Sequence, residues 1–111
     1  MIQAVFYRNS DDKLFGFELT GHAGFKRAGK DIVCAAVSAL ALNTVNAAEK
    51  LTDAEFEGEQ GKSGKLEFRF TSPLGEREQL LMDALELGLK GIQTEYGTKY
   101  LEISYTSYRE V

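Results

Sequence analysis

The chain contains one histidine and one cysteine, and both fall within TGHAGFKRAGKDIVCAAVSAL, residues 20–40. His22 and Cys34 lie twelve positions apart, across a loop that carries Gly24 and Gly29. Cysteine with histidine is the minimal nucleophile–base pair: a thiolate attacks and an imidazole carries the proton. Asp31 is a favoured N-cap residue for a helix that starts beside it. Cys34 then occupies the third helical position, where the partial positive charge of the helix N-terminus favours a thiolate and lowers the thiol pKa. An orphan N–H in that turn can face a developing oxyanion during acyl transfer. His22 follows a predicted strand, which is a firm mount for a general base. Gly24 and Gly29 tolerate large backbone changes and are candidate hinges of a mobile loop. Ser38 lies one turn below Cys34 on the same face, where it bonds near the site or back to a helix carbonyl.

Each residue also has a plainer reading on pattern alone. A lone cysteine on an alanine-rich helix is more often a buried small hydrophobe. A histidine at a strand end is more often solvated or capping, and the glycines can simply serve the turn. Asp31 caps a helix whether or not a site is present. Lys26, Arg27 and Lys30 either raise thiolate character nearby or form a solvated loop face. One histidine and one cysteine fall short of a structural zinc set, so neither metal nor cofactor is expected.

The elements that must position these residues follow from periodicity. Residues 2–8 (IQAVFYR) are rich in β-branched and aromatic types and predict a strand, and Asn9-Ser10-Asp11-Asp12 a turn. Residues 13–21 predict a second strand, with Phe15, Phe17 and Leu19 on one face. Residues 31–51 lack Gly and Pro and are dense in alanine, a largely buried helix. Alternation over 54–60 and 65–71, around Gly61-Lys62-Ser63-Gly64, predicts a second hairpin. Ser72-Pro73 reads as N-cap and first position of a second helix, with Leu81, Leu85, Gly88 and Ile92 as its buried stripe and Gly97 as its stop. A last strand spans 99–106, with Leu101, Ile103 and Tyr105 on one face. The order ββαββαβ predicts an α+β two-layer sandwich: a mostly antiparallel sheet with two helices on one side.

The chain has 111 residues, 43% apolar and 27% charged, which suits one soluble domain over residues 1–111. A net charge of −4 argues against direct nucleic-acid binding, which needs a basic face. The N-terminal MIQAVFYRNSDDK has no signal-peptide pattern, and no stretch is expected to reach the length of a membrane span. A single cysteine excludes an internal disulfide, so a free thiol in a reducing cytoplasm is expected, with no membrane partner.

Gly21-His22-Ala23, the glycine-bearing loop and Asp31-Ile32-Val33-Cys34-Ala35-Ala36-Val37-Ser38-Ala39-Leu40 resemble the ribosomal-processing cysteine protease (Prp) family in wording and spacing. Asn46-Ala47, the Glu- and Gly-rich second hairpin and the overall length agree with that family. The resemblance implies a small cytoplasmic endopeptidase, homodimeric, with a mobile loop between its catalytic residues. It implies as substrate the precursor of a large-subunit ribosomal protein, whose N-terminal extension is cut off after a hydrophobic, aromatic-containing motif. It implies His22 as general base and proton donor, Cys34 as nucleophile, and supporting positions at Asp31 and Ser38. No third member of a triad is evident, so a Cys–His dyad is expected. The alternative is a non-enzymatic dimeric binding module of ribosome assembly that holds an extended basic segment. The Asp31–Cys34 helix start beside the sole histidine speaks against it.

Overall fold

The computed structural model describes residues 1–27, 31–61 and 64–107. Along the chain run β1 (Ile2–Arg8), β2 (Leu14–Thr20), α1 (Ile32–Leu51), β3 (Phe56–Gln60), β4 (Leu66–Phe70), α2 (Glu76–Tyr96) and β5 (Leu101–Ser107). The five strands form one sheet in the order β3-β4-β2-β1-β5. Neighbours are antiparallel except β1 and β5, which run parallel with Ile2 opposite Leu101. The two helices pack on each other and on one side of this sheet, so the architecture is the expected α+β sandwich.

Period-2 alternation builds the sheet side of the core: Ala4 and Phe6 on β1, Phe17 and Leu19 on β2, Phe68 and Phe70 on β4, Leu101 on β5. They meet Val33, Val37, Ala41 and Ala48 of α1 and Met82, Leu85 and Leu89 of α2. Full burial of each large apolar side chain is worth about 1.5–3 kcal/mol. The helices approach closely where Gly88 faces Leu40; a Cβ at Gly88 would lie 2.8 Å from the Leu40 Cδ1.

Four details depart from the sequence-based expectations. A β-bulge at Tyr7/Arg8 pairs Tyr7 with Gly16 and Arg8 with Leu14. The extra residue reverses the alternation, so Leu14 joins the core while Phe15 packs instead against Tyr7, with ring centroids 6.1 Å apart. Ser72-Pro73 does not open α2. Ser72 Oγ accepts the Glu55 N–H at 2.9 Å, which closes the base of the β3–β4 pair. The helix starts after Gly75, whose N–H donates to the Glu78 carboxylate at 2.8 Å, with Glu76 and Glu78 in the favoured first turn. The buried stripe of α2 is Met82, Leu85 and Leu89, with Leu81, Gly88 and Ile92 half-buried beside it. Finally, α1 is by length and composition apolar enough to cross a bilayer; here Val33, Val37, Ala41, Thr44 and Ala48 form its buried face. Gly97 ends α2 as expected, its N–H donating to the Gln93 carbonyl at 2.8 Å.

Candidate active site

The site is assembled at the end of β2, the start of α1 and the β3–β4 hairpin. β2 stops at Thr20, and Gly21 turns the chain with φ +83°. Only glycine fits there, because a Cβ would lie 2.4 Å from the Met1 carbonyl oxygen. The turn leaves His22 exposed and buries Ala23. The Ala23 N–H then donates to Cys34 Sγ at 3.1 Å.

Asp31 is the N-cap of α1, as its type and position predict. Its Oδ1 accepts the Cys34 N–H at 3.0 Å and its Oδ2 accepts the Phe25 N–H at 3.1 Å. One carboxylate therefore closes the helix and ties down the loop. Phe25 adds a second tie. Its ring meets Tyr96 and Tyr100 edge-on, with centroids 5.6 and 5.1 Å away, the favoured T-shaped arrangement.

His22, Gly24, Lys26, Asp31, Cys34, Ala35 and Ser38 line an open cleft of 520 Å³. A narrower recess of 150 Å³ adjoins it, with Ile2, Leu19, Val37, Leu42 and Leu66 as its apolar walls and Gln60 among its lining residues. His22, Cys34 and Ser38 belong to both cavities. The structure thus gathers His22, Gly24, Asp31, Cys34 and Ser38 in one place. Gly29, the other candidate hinge, and Lys30 lie outside the described residues. Ser38 is exposed and, among the described residues, makes no hydrogen bond back to the helix.

Electrostatics at the helix start differ from the expectation of a lowered thiol pKa. Burial pushes the Cys34 thiol above its ordinary value; the Ala23 N–H opposes this, and the Asp31 carboxylate adds to the rise. Burial also works to raise the Asp31 carboxyl, but the N–H groups of Cys34 and Phe25 outweigh it and hold the acid below the usual range. The positive end of the helix is thus spent on Asp31, not on the sulfur. Nor is the Cys34 N–H an orphan; the donor aimed at the sulfur is the Ala23 N–H from the loop. In this arrangement burial and the Asp31 carboxylate both favour the thiol over the thiolate.

Three contributors escaped the sequence reading. Ala23 acts through its backbone, and Phe25 through tyrosines far away in the chain. Gly64, in the β3–β4 hairpin, lies against the His22 ring: a Cβ there would be 3.4 Å from Cε1. Its only signal in the sequence was a glycine at a hairpin tip, which a turn alone explains. Among the described residues, no group of three or more His, Cys, Asp or Glu side chains converges as a metal set.

The family model "Cysteine protease Prp" matches residues 1–101. A Bacillus subtilis protein named ribosomal processing cysteine protease Prp is 38% identical over 105 residues, covering 86% of this chain and 90% of that protein. The crystal structure of a ribosomal processing protease Prp from S. aureus, with a covalently linked product peptide, superposes with a TM-score of 0.89 at 27% identity, over 96% of this chain and 100% of that one. A Streptococcus mutans protein superposes with a TM-score of 0.78 at 34% identity, over 97% of this chain and 96% of that one. Fold, sequence and a thiol-bearing cleft agree: the chain belongs to the Prp family and is a cysteine protease.

Proposed function

We propose that this protease removes the N-terminal extension of a large-subunit ribosomal protein precursor, cutting after a hydrophobic, aromatic-containing motif, by a Cys34–His22 dyad. The observation that carries the dyad is the meeting of both cavities at His22, Cys34 and Ser38. A peptide laid across that junction has its scissile bond beside the thiol. The recess, walled by Ile2, Leu19, Val37, Leu42 and Leu66, supports a hydrophobic side chain next to the bond, and the open cleft takes the rest of the peptide. The name of the B. subtilis relative and the peptide complex of the S. aureus protein support the substrate class.

In this reading the His22 imidazole serves the thiol from its place at the junction of the two cavities. His22 takes the proton from Cys34 Sγ, and the sulfur bonds to the scissile carbonyl carbon. The Ala23 N–H shifts from the sulfur to the oxyanion, which lies one bond further out. The intermediate collapses, the C–N bond breaks, and the departing amine takes the proton from His22. Water, deprotonated by His22, then hydrolyses the thioester and restores the thiol. Asp31 holds the helix start and the loop, and Ser38 lines the groove. The enzyme works in the cytoplasm as a homodimer, without a cofactor.

The test is a digest of the precursor ribosomal protein with its N-terminal extension, read by mass spectrometry, with Cys34→Ala alongside. A single cut after the aromatic motif, absent in the variant, is the expected result. Full cleavage by Cys34→Ala would falsify the mechanism, and binding without cleavage by either protein would favour a binding module. Leu42, exposed at the rim of the recess, gives the specificity arm: Leu42→Trp narrows the recess and lowers kcat/KM for peptides with a large residue at the cut.

A further inference from the structure

A general base normally takes its direction from a third polar group. Here the carboxylate in the same cleft, Asp31, does not bond to His22; its oxygens accept backbone N–H groups from Cys34 and Phe25. Among the described residues His22 has no hydrogen-bond partner; what stands against its ring is Gly64. A Cβ at residue 64 would lie 3.4 Å from His22 Cε1, 3.9 Å from Nε2 and 4.0 Å from the Gly21 carbonyl oxygen.

The sheet explains the meeting. β2 and β4 pair antiparallel with Leu19 opposite Leu66. Continued two residues beyond the ladder, that register sets Gly21 opposite Gly64. Both glycines have left-handed backbones, φ +83° and +81°. The two segments stay side by side there, and the residue after Gly21 lies against the bare backbone of Gly64.

We propose that Gly64 is a positioning residue for His22: its bare backbone is the wall that sets where the imidazole sits relative to Cys34. The inference rests on the dyad reading above. Orientation of the base is then steric, supplied by the β3–β4 hairpin, and not by a carboxylate. A methyl group at residue 64 reaches ordinary contact with the ring, while any side chain with γ atoms competes for the ring's space. Misplacement of a reacting group by about 1 Å costs up to about a hundredfold in rate.

The test uses Gly64→Asn, because asparagine tolerates the left-handed conformation and so adds bulk with little backbone strain. Gly61→Asn is the hairpin control: a Cβ there meets only Lys65. Cleavage of the precursor is followed as kcat and KM. Single-turnover release of nitrophenol from a peptide 4-nitrophenyl ester is followed in Gly64→Asn, His22→Ala and the double variant. The active ester keeps the rate measurable without a base. We expect kcat to fall about tenfold or more in Gly64→Asn with KM unchanged, Gly64→Ala to lie between it and wild type, and Gly61→Asn to match wild type. In the His22→Ala background, Gly64→Asn has no further effect. An equal loss in both backgrounds, or wild-type kcat in a folded Gly64→Asn, overturns the positioning role while the dyad stands. If His22→Ala itself releases nitrophenol at the wild-type rate, the dyad reading fails and the positioning role fails with it.

Discussion

Asp31 is where stability and reactivity can be separated by a single atom change. Its carboxylate accepts two N–H bonds, from Cys34 at 3.0 Å and Phe25 at 3.1 Å. Asp31→Ala removes both. Loss of the N-cap costs about 1 kcal/mol, and loss of the loop bond about 1 kcal/mol more. At about 4 °C per kcal/mol for a domain of this size, Tm falls by about 8 °C. Asp31→Asn has only one acceptor oxygen, so it keeps the cap, forfeits the Phe25 bond and loses about half as much. The thiol should respond in the opposite sense. Burial raises the Cys34 pKa first, but the carboxylate adds to it, so Asp31→Asn removes an upward push. The assay is alkylation of Cys34 by iodoacetamide against pH, beside melting followed by circular dichroism. We expect wild type to titrate above an exposed thiol's value of about 8.5, and Asp31→Asn to titrate lower and react faster at neutral pH while melting earlier. An Asn variant with an unchanged or higher midpoint refutes the electrostatic argument. The acid side gives a second check. Asp31 is held below its ordinary pKa in the fold, so its contribution is complete above about pH 3.9. It is lost as pH falls through the folded value, and there the melting curves of wild type and Asp31→Asn converge.

Two further substitutions probe the frame around the site. Gly21→Ala forces a left-handed alanine whose Cβ would lie 2.4 Å from the Met1 carbonyl oxygen; it should cost about 2 kcal/mol or more in urea unfolding and lower activity, and a silent variant would refute the steric argument. Gly91, exposed on α2 with nothing within 4 Å of a Cβ, should gain about 0.5–1 kcal/mol on Gly91→Ala from helix propensity alone, with activity unchanged; a lower Tm would contradict that account.

Elements with one apolar face were legible in the sequence because alternation and helical spacing report burial directly. The strands at 2–8 and 65–71, α1 and the cap at Asp31 follow from side-chain type. Phe15 did not, because a bulge reverses alternation without changing any residue type. Ser72 did not, because the same hydroxyl can cap a helix or close a hairpin, and the Glu55 N–H was the nearer claimant. In the site, His22 and Cys34 stood out as sole examples of reactive types. The thiol's electrostatics did not, because the sequence places Cys34 in a positive helix turn without saying that Asp31 has already claimed it. Gly64 was hidden for a related reason: its contact with His22 is fixed by the β2–β4 register, which joins segments that periodicity reads separately.

The seat of Phe25 ties the active-site loop to residues far along the chain. The loop between the histidine and the cysteine leans on Tyr96 and Tyr100, and β5, which follows them, pairs in parallel with the first strand of the chain. Such long-range contacts form late, after loop-closure entropy has been met. Without Tyr96 and Tyr100, Phe25 loses its seat, and its remaining tie is the N–H bond to Asp31. Removing the seat is therefore expected to loosen the loop without touching His22 or Cys34 themselves.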